Sequence, residues 1–169
     1  MGVSKHKPSN SLSADWYTDD KFLKKEINQI FLKSWLLIGP EAQISNPGDC
    51  LFQSIVDQPI VCVRQEDNSI KTFFNICRHR AGSFENKKSK NNYLVCKYHG
   101  WTYSINGQLK SPRGFNKSEI VSEDLCLKYI NTKIWKGLIF INFCDKPTSF
   151  GTTFNDVEKV LAPYKLEDF

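Results

Sequence analysis

Cys77-Arg78-His79-Arg80-Ala81-Gly82, followed further on by Cys96-Lys97-Tyr98-His99-Gly100-Trp101-Thr102-Tyr103, decides how this chain is read. Residues 80–95 separate His79 from Cys96. Each segment offers one thiolate and one imidazole. Two of the chain's three histidines sit here, and the third, His6, lies in a polar N-terminal stretch. Four such donors can hold a [2Fe–2S] cluster in which two His replace two Cys on one iron. They can also make a structural zinc site, but zinc modules usually space like ligands as C-x₂₋₄-C and H-x₃₋₅-H. Here each pair is mixed, and the first is C-x-H. A binuclear cluster asks for both Cys on one iron and both His on the other. Two loops approaching from opposite sides, each giving one ligand to each iron, meet that demand. A buried thiol or a core histidine would explain either pair alone. It does not explain two Cys–His pairs with glycine and aromatic neighbours. Cluster binding by Cys77, His79, Cys96 and His99 is therefore the stronger reading, and zinc the weaker alternative.

These motifs resemble the Rieske domain of ring-hydroxylating and related Rieske non-haem iron oxygenases. The likeness extends beyond the ligands. Asp15-Trp16-Tyr17 and residues 22–35 look like the leading helix of the oxygenase α subunits. Residues 36–40, Pro47-Gly48-Asp49 and residues 59–64 look like the strands that follow. Residues 107–112 and 137–142 match the later part of that domain, so the likeness covers about residues 14–165. One departure is Ala81-Gly82, where many members read Gly-Ala. The Rieske proteins of respiratory complexes carry two further Cys that clamp the loops with a disulfide. The corresponding places here are Gly82 and Tyr98, which favours the oxygenase or soluble-ferredoxin branch.

The resemblance implies a mainly β fold. The expectation is an antiparallel Rieske-type β-sandwich with a cluster-binding loop subdomain, an N-terminal helix and a short C-terminal helix. It also implies surroundings for the cluster: Arg80, Gly82, Tyr98, Gly100 and Trp101 are the neighbouring positions. Gly82 and Gly100 let the backbone approach closely, and Tyr98 and Trp101 shield the cluster, or are ordinary core aromatics. Ligand charge then sets the chemistry. Two ferric ions, two sulfides, two thiolates and two neutral imidazoles sum to zero, and reduction adds one negative charge. An all-Cys cluster starts more negative, so Rieske potentials lie above those of plant-type ferredoxins. Backbone N–H groups bonding the sulfides raise the potential further.

The family places a mononuclear Fe(II) in a second, larger domain, bound by a 2-His-1-carboxylate triad. With His79 and His99 committed, only His6 remains. This chain is therefore expected to lack that catalytic domain and not to hydroxylate by itself. Two readings follow. One is the N-terminal Rieske domain of an oxygenase α subunit, truncated or encoded alone. The other is a free Rieske ferredoxin. The aromatic-bearing leading helix favours the first. In the family the electron comes from a reductase or ferredoxin and passes to the mononuclear iron of the same or a neighbouring subunit, by way of the exposed His of the second loop, here His99. The full-length form is expected to be a homotrimer.

Bulk properties agree. A chain of 169 residues suits one domain with a sizeable core. Six Cys do not make a disulfide framework once two bind iron, and Cys50, Cys62, Cys126 and Cys144 read as buried thiols in a reducing compartment. There is no apolar signal core, no twin-Arg pair and no apolar run of membrane-span length, so a cytoplasmic location with no membrane partner is expected. The net charge of +5 is mild and gives no case for nucleic acid. The run Lys87-Lys88-Ser89-Lys90 reads as a solvated turn, with steering of an acidic redox partner as the alternative.

Residues 1–13 are polar and read as a disordered tail, leaving 14–169 as the folded domain. Asp19 and Asp20 open a helix. Phe22, Leu23, Ile27, Ile30, Phe31 and Trp35 recur at helical spacing, and by periodicity this helix runs to Gly39-Pro40. Strands are expected at 51–56, 60–64, 70–76, 93–95, 101–105, 127–135 and 138–143. Turns are expected at Asp57-Gln58, Asn106-Gly107 and Lys136-Gly137. A helix at 153–161 would carry Phe154, Val157, Val160 and Leu161 on one face.

Overall fold

The computed structural model describes residues 11–85, 92–116 and 124–164. His6 and the Lys87-Lys88-Ser89-Lys90 run lie outside them. Two short helices lead the chain, α1 (Asp15–Thr18) and α2 (Asp20–Gln29). Among the described residues nine strands follow: β1 (Leu36–Pro40), β2 (Cys50–Ile55), β3 (Gln58–Arg64), β4 (Ile70–Phe74), β5 (Tyr93–Val95), β6 (Thr102–Ser104), β7 (Leu109–Ser111), β8 (Tyr129–Trp135) and β9 (Leu138–Asn142). Helix α3 (Phe150–Leu161) comes last. The strands form a six-stranded sheet in the order β1-β9-β8-β4-β3-β2 and a three-stranded sheet in the order β5-β6-β7. Every pairing is antiparallel. The fold is the mainly antiparallel β class expected.

Strand β3 shows why two sheets form. Side chains alternate faces along a strand. Val61 and Val63 point into one core, shared with Phe73, Leu94, Trp101, Tyr103 and Leu109. Ile60 and Cys62 point into another, shared with Ile44, Ile70, Ile130, Ile139 and Ile141. A strand buried on both faces reads as a continuous apolar run, as Pro59-Ile60-Val61-Cys62-Val63 does. The first core joins the large sheet to the small one, and it contains Cys77 and Cys96. Arg64 closes the end of β3. It is 8% exposed and donates to the Ile44 carbonyl at 2.7 Å, the Asn68 carbonyl at 2.7 Å and the Glu41 carboxylate at 3.1 Å.

Four expectations need correction. Helix α2 ends at Gln29 rather than at Gly39-Pro40, and a 3₁₀ turn at Phe31–Lys33 leads into β1. Tertiary contacts override the helical periodicity: β1 pairs with β9, while the Trp35 indole donates to the Thr148 carbonyl at 2.9 Å and meets Phe150 edge-on. The opening of α2 is as read, since the Asp19 side chain accepts from Lys21 N–H at 2.8 Å. The β2–β3 turn is Val56-Asp57, one residue earlier than expected. Both residues have positive φ, 52° and 59°, the two-residue turn whose twist suits a hairpin. Valine is a poor residue for that conformation, so nothing in the sequence marked it. Helix α3 starts at Phe150, three residues early, and Val160 is 69% exposed rather than packed. Phe150 and Phe154, stacked at 4.2 Å, carry the packing against Phe140. Cys126 and Cys144 are half-buried, not buried like Cys50 and Cys62.

The Asn106-Gly107 turn is where expected, joining β6 to β7, and it also touches the core. Gly107 has φ +87°, and a Cβ there would lie 2.6 Å from Phe73 Cε1. Its carbonyl accepts from Leu127 N–H at 2.8 Å. Gly107→Ala combines left-handed strain with overpacking, so a loss of about 2–4 kcal/mol is expected in denaturant unfolding. An unchanged midpoint would show that the turn has room to relax. Among the described residues no helix is long and apolar enough to cross a membrane.

Candidate metal centre

The two motif loops fold alike. In the first, Cys77 N–H donates to the Gly82 carbonyl at 2.8 Å and Ala81 N–H to the Cys77 carbonyl at 3.0 Å. In the second, Cys96 N–H donates to the Trp101 carbonyl at 2.8 Å and Gly100 N–H to the Cys96 carbonyl at 2.9 Å. Both turns need a left-handed residue four places after the Cys. These are Ala81 at φ 56° and Gly100 at φ 73°. The Ala81-Gly82 departure thus falls on the strained position, where a Cβ costs roughly 1–2 kcal/mol. Gly100 serves this turn, and its Cα lies under Arg113, whose Cδ would be 3.2 Å from a Cβ.

Gly82 serves the approach of one loop to the other. A Cβ on it would lie 2.8 Å from Cys96 Sγ and 2.9 Å from Tyr98 Cβ. Between the loops the donors are sorted. Cys77 and Cys96 are buried at 2% and 3% exposure, while His79 and His99 are half-buried farther out. The two imidazoles sit 4.8 Å apart between ring centroids, at 65°. Burial pushes the Cys77 thiol up, and the neighbouring Cys96 thiol acts in the same direction. Hydrogen bonds from Tyr103 and from the His79 backbone oppose them. Burial, then His99 and Arg80, lower the His79 pKa.

His79 Nδ1 is buried with no hydrogen-bond partner. Buried ring nitrogens are normally satisfied, so an acceptor or donor group is missing at that point. Among the described residues no three His, Cys, Asp or Glu side chains group to hold a single metal ion. A binuclear cluster asks only for two protein donors on each iron. Two paired buried thiols, two adjacent imidazoles and an orphaned nitrogen fit a [2Fe–2S] group.

The surroundings hold further residues. Trp101 is 3% exposed and stacks on His79. Tyr98 covers His99 with a stacked ring at 3.8 Å but is itself 62% exposed, so it caps an imidazole without sealing it. Arg80 is exposed. Three neighbours were not singled out from the sequence. The Tyr103 hydroxyl lies 3.5 Å from Cys77 Sγ and accepts from Arg78 N–H at 3.1 Å. Burial, and then Cys77, push its pKa up. The alternation Trp101, Tyr103, Ile105, all buried, was a readable signal. Asn75 pins the chain after the first loop, donating to the Phe84 carbonyl at 3.0 Å and accepting from Phe84 N–H at 2.8 Å. Phe115 reaches His79 from the turn after β7, and no pattern marked it.

The chain matches the Rieske [2Fe–2S] domain across residues 34–122, a span that includes both loops. It belongs to that family. It is 30% identical over 161 residues to the glycine betaine monooxygenase oxygenase subunit of Pseudomonas aeruginosa, covering 95% of this chain and 38% of that protein. It is 33% identical over 153 residues to the benzene 1,2-dioxygenase subunit alpha of Pseudomonas putida, covering 84% of this chain and 32% of that protein. A solved quaternary ammonium Rieske monooxygenase in its apo form has a TM-score of 0.82 at 25% identity, covering 91% of this chain and 46% of that one. The chain thus spans about a third to two fifths of the curated relatives it matches. The relatives are oxygenase subunits, which favours that branch over a free ferredoxin.

Proposed function

We propose that this chain is the electron-transfer domain of a Rieske non-haem iron oxygenase α subunit. Cys77 and Cys96 hold one iron, and His79 and His99 hold the other. The observation that carries this reading is the sorted pair of loops, thiols inside and imidazoles outside, with His79 Nδ1 buried and unpartnered. A bound cluster supplies a one-electron carrier. The chain's own residues do the rest. The paired turns present four donors from opposite sides. Gly82 allows the loops to close, Trp101 excludes water from the His79 side, and the Tyr103 hydroxyl holds the Cys77 sulfur and the Arg78 backbone together. The half-buried His99 edge is the outlet, as the family likeness implies. The donor is a reductase or ferredoxin. The acceptor is a mononuclear non-haem iron that activates O₂ in a catalytic domain of the same or a neighbouring subunit, in a homotrimeric, cytoplasmic enzyme. Quaternary ammonium compounds and aromatic hydrocarbons are the substrate classes its relatives' names offer.

The experiment is to purify the chain without oxygen, reconstitute it with iron and sulfide, and titrate it with a chemical reductant. A red-brown protein with two irons and two sulfides per chain, taking up one electron with a Rieske-type EPR signal, is expected. A colourless protein holding one zinc sinks the reading.

A further inference from the structure

We propose that Trp101 and Phe115 are positioning residues for His79. They hold its imidazole in one plane, and the indole face of Trp101 tunes the charge carried on that ring. The inference rests on the reading of His79 as an iron ligand.

Three rings meet here, from three separate stretches of chain. The His79 ring is parallel to Trp101, at 6° with centroids 4.7 Å apart. Phe115 stands edge-on to both, at 5.8 Å and 80° from His79 and at 5.9 Å and 86° from Trp101. An imidazole held through one nitrogen can turn about the bond to the metal. A ring on its face and another at its edge remove that freedom.

One detail speaks against ordinary core filling. Phe115 is 51% exposed, so burial alone does not explain its place against two rings. Trp101 is 3% exposed, and its indole lies parallel to the His79 ring. The Trp101 backbone is fixed independently, its carbonyl accepting from Cys96 N–H at 2.8 Å. His99 is held differently, under the 62% exposed Tyr98.

The direction of the tuning follows from charge. An aromatic face is negative and attracts cations, and indole does so best. An iron-bound imidazole carries more positive charge when the cluster is oxidised. Trp101 therefore favours the oxidised state, and removing it should raise the reduction potential.

The test uses the reconstituted chain and three variants: Trp101→Phe, Trp101→Leu and Phe115→Ala. Iron and sulfide content, the EPR spectrum of the reduced state and the potential by protein-film voltammetry are measured for each. Trp101→Leu should keep its cluster, broaden the EPR lines and shift the potential upward. Trp101→Phe should keep narrow lines, with a potential between the two. Phe115→Ala should broaden the lines as the ring plane spreads. Wild-type line widths and potentials in Trp101→Leu and Phe115→Ala would overturn the proposal. So would equal shifts in Trp101→Phe and Trp101→Leu without broadening, which would reduce Trp101 to a water barrier. If Trp101→Leu does not fold, Trp101→Phe and the half-exposed Phe115→Ala decide alone. A wild-type chain that takes up no cluster removes the ligand reading itself, a result separate from unchanged line shapes on a full cluster.

Discussion

Cys77→Ala and Cys96→Ala are each expected to be colourless. Both thiols sit on the inner side of the paired loops, at 2% and 3% exposure, inside the core that joins the two sheets. Each is tied into its turn by backbone hydrogen bonds from both its N–H and to its carbonyl. Cys62 and Cys144 are not placed to substitute, and Cys50, in the same core, donates its thiol to the Gly48 carbonyl at 3.3 Å. Cys62 points into the opposite core, where burial raises its pKa to about 11 while Thr72 donates a hydrogen bond to its sulfur at 3.3 Å. Cys144 lies beside Leu32, far from the loops in the chain, its thiol 3.6 Å from that residue's carbonyl. The visible absorption of the reconstituted chain should vanish in the two Ala variants and survive single Ser replacement of Cys50, Cys62, Cys126 or Cys144. Because a structural metal group contributes folding free energy, the two colourless variants should also melt well below the others. Retained colour in Cys77→Ala, or its loss in Cys62→Ser, would put the cluster elsewhere.

The legible parts of this molecule are those where a local rule and the tertiary structure agree. Asn106-Gly107 and Lys136-Gly137 turn where read, because both demand left-handed backbone that glycine supplies. The apolar run in β3 reads as a doubly buried strand for the same reason it becomes one. That the two Cys–His loops come together was legible because mixed Cys–His pairs have few structural explanations. Reading failed where distant contacts decided. The stripe through Trp35 has helical spacing, yet β9 claims residues 36–40 and Thr148 claims the indole. Val56 sits in a left-handed turn that its side chain disfavours, so register, not propensity, sets it. Phe115 meets His79 only once the fold brings the end of the small sheet over the first loop. Ala81 shows the converse. A departure that looks minor in sequence occupies the one strained position of its loop.

The chain is expected to cycle electrons without hydroxylating anything. A mononuclear non-haem iron site of the oxygenase kind takes two His and a carboxylate with open positions. Three histidines are present in all, and the proposed cluster uses two. His6 alone cannot complete a triad. Among the described residues no three His, Cys, Asp or Glu side chains group to hold such an ion. The measurement is product formation by the reconstituted chain with added Fe(II), O₂ and an electron source, over quaternary ammonium and aromatic substrates. Free Fe(II) with O₂ and a reductant oxidises organic molecules without an enzyme, so the reference is Cys77→Ala under the same conditions. The cluster should be reduced and reoxidised repeatedly, as its absorption reports, while product stays at the level of that variant. Specific product above it would mean that these 169 residues contain an iron site built from other donors, and the division of labour proposed here would be wrong.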